Sequence, residues 1–207
     1  MHRRSVEVVG VHLIQSVADV GLLLARVAGG SAQAHASEPG LPLLVPQRFV
    51  AAALRRFGLW STAESCYHMV ETRSTWVEHR AEAATERAVV AAERGDAPAF
   101  RRRRARIVER MDDADLRLRA LLNLGLGRGC LVAGEIDDGR DHLRQAISAA
   151  RDADLDLLLH RAEELLAVLA RGDALASKQR PRPAPEVVRR AAERIEQMID
   201  GGVAATS

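Results

Sequence analysis

Residues 126–146 read LGRGCLVAGEIDDGRDHLRQA, and the order of glycines and helix formers in that stretch decides the fold. Gly134 ends one helical pattern, and Glu135-Ile136-Asp137 opens another. Glycine suits a helix end because it enters the left-handed conformation without a Cβ clash. Leu126-Gly127 before the turn, and Gly139, Leu143 and Ala146 after it, set small beside large residues at helical spacing. The stretch predicts two helices packed closely across a short turn.

The same punctuation recurs. Gly58-Leu59, Gly95-Asp96, Gly134-Glu135 and Gly172-Asp173 are separated by 37, 39 and 38 residues. Between them Ala, Leu, Arg and Glu dominate with few β-branched clusters, which favours helix over strand. A period of this size predicts an all-α array of helix-turn-helix units, each covering the apolar face of the next.

The unit around Gly134 resembles the tetratricopeptide repeat, whose pattern is a Leu-Gly pair in the first helix, a Gly-Asp-aromatic turn, then a small, a large apolar and a second small residue in the second helix. The unit around Gly58 matches too, with Ala51, Trp60, Ala63, Tyr67 and Val70. Departures stand beside these matches. The Gly95 unit has Arg87 and Phe100 where the pattern has Leu and Ala, and the Gly172 unit runs into Pro181, Pro183 and Pro185. The units also exceed the family's period of ~34 residues, as do those in sensor regions of bacterial regulators and signalling ATPases. The resemblance implies a repeat solenoid that binds a protein or peptide without catalysis. Its alternative is a regulatory module of a transcriptional or signalling system; a hydrolase is a third, weaker reading.

The predicted map sets an amphipathic helix over 5–28 and a Pro/Gly loop over 30–45, so that residues 1–45 precede the array. The repeats occupy 46–171, with helices over 46–57, 61–71, 75–94, 97–111, 114–133, 136–151 and 155–171. A Pro/Arg connector covers 172–184. A capping helix within 185–207 presents Val187, Val188, Ala191, Ile195 and Ile199 to the end of the array, before a frayed tail from Gly201.

Composition narrows the function. A chain of 207 residues with 47% apolar and 28% charged residues is long enough for one domain or one array with a true core. At 3% aromatic, stacking platforms for single-stranded nucleic acid are hard to build, and a net charge of +2 gives no global attraction to nucleic acid or anionic lipid. Cys66 and Cys130 lie 64 residues apart without metal-ligand spacing, which suits a reducing cytoplasm. Met1-His2-Arg3-Arg4 and the apolar run after it imitate a signal peptide, yet Glu7, His12, Gln15, Asp19 and Arg26 interrupt the run. No membrane span is expected.

Catalytic and cofactor signatures fail on context. Gly125-Leu126-Gly127-Arg128-Gly129 has the glycines of a phosphate loop but sits inside a helical pattern with no preceding strand. Glu64, His68 and Glu71, and likewise Glu78, His79 and Glu82, share helix faces without a second donor set, which reads as a solvated exterior. Asp152, Asp154 and Asp156 begin like a calcium loop, but Leu157 stands where glycine is required. Ser61, Thr62, Ser74 and Thr75 fall at helix starts, where capping is expected. No metal, cofactor or catalytic residue is assigned.

Two binding surfaces remain. The spacing by which the family turns residues to its inner face, carried onto this chain, gives a groove that is basic at Arg48, Arg55 and Arg56 and apolar at Leu124, Leu131 and Leu166, with Arg128 between. Such a groove suits an amphipathic helix with an acidic flank. The second is the run Arg101-Arg102-Arg103-Arg104-Ala105-Arg106 with Arg110, which reads first as a solvated, salt-bridged face, then as a site for an acidic protein partner and last for nucleic acid. Four of these arginines are not expected to share a helix face, and Glu109, Asp112, Asp113 and Asp115 offset part of their charge.

Overall fold

The computed structural model describes residues 41–171 and 183–204, and among them every regular element is an α-helix. In chain order these are α1 (Leu41–Arg56), α2 (Trp60–Arg73), α3 (Val77–Glu93), α4 (Ala97–Glu109), α5 (Leu116–Ala133), α6 (Ile136–Asp152), α7 (Asp156–Ala170) and α8 (Glu186–Ala204). The helix expected over 5–28, the loop over 30–40 and the connector over 172–182 lie outside the described residues.

Three of the four turn glycines are described, and all three are left-handed: Gly58 at φ 72°, Gly95 at φ 75° and Gly134 at φ 84°. Each is followed by a residue whose N–H reaches back five positions, Leu59 to Leu54 O, Asp96 to Ala91 O and Glu135 to Cys130 O, at 2.8–3.0 Å. Those bonds satisfy carbonyls that the helix end leaves open. Between α6 and α7 the same bond runs from Leu155 N to Ala150 O at 2.8 Å, with Asp154 at φ 52° in the glycine's place. The three aspartates that begin like a calcium loop thus lie at a helix end closed by a non-glycine residue.

Helix starts follow the expectation in part, the Ser74 hydroxyl accepting from Trp76 N at 3.2 Å just before α3. Asp96 and Asp115 cap α4 and α5, accepting from Ala99 N at 3.0 Å and Leu118 N at 2.8 Å. Thr62 instead lies buried within α2. Helix α1 begins at Leu41, so residues 41–45, expected in a loop, are helical. Pro42 falls in the first turn, where an N–H has no intrahelical acceptor, and the proline at 46 leaves only the carbonyl of residue 42 without its donor.

The chain divides into two compact units, Met1–Cys66 with Pro181–Ser207, and Tyr67–Arg180. In the second unit α3 packs on α4 and α5, α5 on α6 and α7, and α6 on α7. Its core is built from small residues with few large ones: Ala84, Ala88, Ala91 and Ala99 surround Phe100, Leu122 and Leu126, and Leu131 and Leu143 meet Ala146 and Ala162. Glycines set the helix separations. A Cβ on Gly127 of α5 would stand 2.8 Å from Leu143 Cδ2 and 3.2 Å from the Gly139 carbonyl of α6. Phe100, oversized for the repeat pattern, is admitted because Gly129 yields the space: a Cβ there would lie 2.9 Å from the ring.

In the first unit Val50, Ala51, Ala53 and Leu54 of α1 are buried, as are Thr62, Ala63 and Cys66 of α2. Helix α8 buries Val188, Ala192 and Ile195, spaced to share one face, while Val187, expected inward, is 54% exposed. The Thr62 hydroxyl donates to Glu196. The C-terminal helix therefore docks on the first hairpin, whereas the apolar pattern had suggested the end of the array; a pattern shows that a face must be covered, not by what. Its helix also runs through Gly201 and Gly202 to Ala204, where a frayed tail was expected.

Candidate functional site

Helix α4 carries the densest charge of the chain, and its backbone sorts that charge onto two faces. At ~100° per residue, Arg102, Arg103, Arg106 and Arg110 fall within an arc of about 100°. All four line one cavity of about 190 Å³, together with Arg87 of α3, Glu71 of α2 and a floor of Ala84, Ala99 and Ile107. The expectation that four of these arginines could not share a face is overturned by this i, i+1, i+4, i+8 spacing.

Glu71 is the one carboxylate in the lining, against five arginines. Arg87 Nη1 donates to Glu71 Oε2, and Arg110 Nη1 stands 3.8 Å from the other oxygen. Arg87 Nη1 also reaches His68 Nδ1 at 3.0 Å, which makes that ring nitrogen the acceptor. The face expected to be solvated, Glu64, His68 and Glu71, thus supplies two of its members to an ion-pair network. Arg102 and Arg106 are exposed and form no ion pair among the described residues.

The opposite face of α4 is neutralised. Arg104 donates to Glu135 at 2.6 Å and lies 2.7 Å from Asp138, while Arg101 reaches Glu135 at 3.2 Å. Burial opposes the charge of Arg104, but the Asp138 hydrogen bond and the charges around it prevail and raise its pKa. Arg104 also approaches Cys130 Sγ at 3.5 Å; burial is the largest influence on that thiol and pushes it up to about 11, so it stays protonated at neutral pH.

The pocket's key position was visible as a departure. Eight residues before the turn glycines stand Val50, Arg87 and Leu126. Val50 and Leu126 are fully buried, whereas the Arg87 side chain keeps 20% of its surface exposed and lines the cavity. An arginine where the stretches before Gly58 and Gly134 bury an aliphatic side chain is the signal that the sequence offered. Glu71, on another helix, carried none.

The groove residues are distributed between the units. Arg48, Arg55 and Arg56 belong to α1 of the first unit, where the Arg48 guanidinium sits 5.0 Å from the Phe49 ring. In the second unit Leu124, Leu131 and Leu166 do come together, but Leu131 is 3% exposed and Leu124 and Leu166 pack against its cluster. Leu131 is therefore core and not a surface anchor: Gly139 opposite it leaves just the room its side chain fills. Arg128 donates to both oxygens of Glu86 at 2.6 and 2.7 Å; desolvation opposes its charge, and the Glu86 carboxylate more than restores it.

Among the described residues no helix is long and apolar enough to cross a membrane, and no group of three or more His, Cys, Asp or Glu is placed to hold a metal ion. Comparison of the chain with protein-family models, with curated proteins and with solved structures gives no match.

Proposed function

We propose that this chain is a non-catalytic, tetratricopeptide-like module that holds an acidic segment of a partner protein on the arginine face of α4. The observation that carries the reading is the pocket itself: five arginines from two helices converge beside a single carboxylate. Like charges at i, i+4 destabilise a helix by ~0.2–0.5 kcal/mol per pair, and Arg102, Arg106 and Arg110 form two such pairs. A face held against that repulsion suits an anionic partner. Support for the repeat architecture comes from the left-handed turns 37 and 39 residues apart and from the packing of α3 on α5 and α5 on α7. The α4 face is preferred over the groove because Leu131 is core and Arg128 is already clasped by Glu86.

The test compares wild type with two charge reversals, R102E/R106E and R55E/R56E, first by affinity capture from native extract and then with the purified partner. Steering by charge acts on association and is screened by salt. R102E/R106E is expected to lose the partner, or to slow its association with a flatter salt dependence, while R55E/R56E retains it. The reverse pattern, in folded variants, moves the site to α1.

A further inference from the structure

Resting on that reading, we infer that the α4 pocket takes the phosphate of a phosphorylated side chain carried by the partner segment. Size limits the guest first. At about 190 Å³ the cavity is smaller than the ~300 Å³ at which small-molecule sites begin. It has room for one side-chain head group, and the rest of a larger guest would lie outside it.

Charge decides which head group. Glu71 engages Arg87 and stands near Arg110, so a carboxylate already occupies that side of the lining. Arg102, Arg103 and Arg106 complete the lining from α4. A second carboxylate would bring one more negative charge and two acceptor oxygens. A phosphate monoester brings a charge of ~−1.5 to −2 and three strong acceptor oxygens, which matches guanidinium forks arriving from several directions. The basic side chains in the lining are all arginine, the residue whose planar fork suits phosphate bidentately.

The floor strengthens the effect. Ala84, Ala99 and Ile107 are buried, so the head group would rest on apolar side chains, where charge interactions are less screened than in open water. Arg103 is half-buried, so its guanidinium is held close to that floor.

The experiment uses the full chain and three probes: an acidic peptide bearing one phosphoserine, the same peptide with glutamate in its place, and inorganic phosphate as competitor. Titrations by fluorescence anisotropy are run on wild type, R102Q/R106Q and R55Q/R56Q, each first shown to keep its helical circular dichroism. Wild type is expected to bind the phosphopeptide at least about tenfold more tightly than the glutamate peptide, a difference of one charge-assisted contact. Inorganic phosphate should compete. R102Q/R106Q should erase the preference, and R55Q/R56Q should keep it. Equal binding of the two peptides, or loss of the preference in R55Q/R56Q, overturns the inference. Equal binding that R102Q/R106Q abolishes overturns the phosphate inference alone and leaves the acidic-partner reading standing. Absence of binding to either peptide overturns the inference too, and partner capture then judges the broader reading.

Discussion

Gly127 and Gly95 are both glycines for structural reasons, but the reasons differ and so do the consequences of replacing them. At Gly127 the backbone is helical and the obstacle is matter: a Cβ would stand 2.8 Å from Leu143 Cδ2 and 3.2 Å from a backbone carbonyl that has little freedom to move. At Gly95 nothing lies within 4 Å of an added Cβ, and the obstacle is φ at 75°. Gly127→Ala is therefore expected to cost ~1–3 kcal/mol by overpacking. Gly95→Ala should cost ~1–2 kcal/mol through left-handed strain. Trimming the neighbour separates the two. Adding Leu143→Val should recover part of the Gly127→Ala loss in denaturant unfolding and none of the Gly95→Ala loss. Equal recovery in both would mean that the close approach of α5 to α6 does not set the cost at Gly127.

Helix α4 shows what an element gives up for its charge. Arg102, Arg106 and Arg110 stack at i, i+4 spacing and repel one another, while Arg101 and Arg104 on the far face are compensated by Glu135 and Asp138. Replacing Arg102 and Arg106 by Ala should thus raise stability by ~0.5–1 kcal/mol, from relieved repulsion and better helix propensity. The same variant should bind the phosphopeptide more weakly. A fall in its urea midpoint would show that the arginine stems hold the element together. The elements themselves were legible because period and turn glycines are local properties: each described helix lies close to its predicted span. Two local rules misled. Pro42 read as loop although the first turn of a helix tolerates proline, and the arginine run was judged by number when angle mattered. The site was half legible, since the run on α4 and the departure at Arg87 stand in the sequence while Glu71 joins them only through packing.

At the scale of the molecule the chain returns on itself, and no periodicity announces that. Val188, Ala192 and Ile195 mark α8 as a helix with a face to cover, but Thr62 meeting Glu196 depends on residues 134 positions apart. The two cysteines report on the two units separately. Cys66 is buried in the first, with desolvation and the nearby Glu196 charge pushing its thiol up to about 12; Cys130 is buried in the second. Both thiols should resist alkylation in the native protein, because the thiolate is the reactive form and neither is accessible. Val188→Asp places a carboxylate in the face that α8 packs inward, and burying a charge there is costly enough to release such an element. The expected result, read by mass spectrometry after a short pulse of alkylating reagent, is modification of Cys66 with Cys130 still protected and most helical signal retained. Modification of both at equal rates would show that the two units unfold as one. Protection of Cys66 in the variant would mean that α1 and α2 cover it without α8.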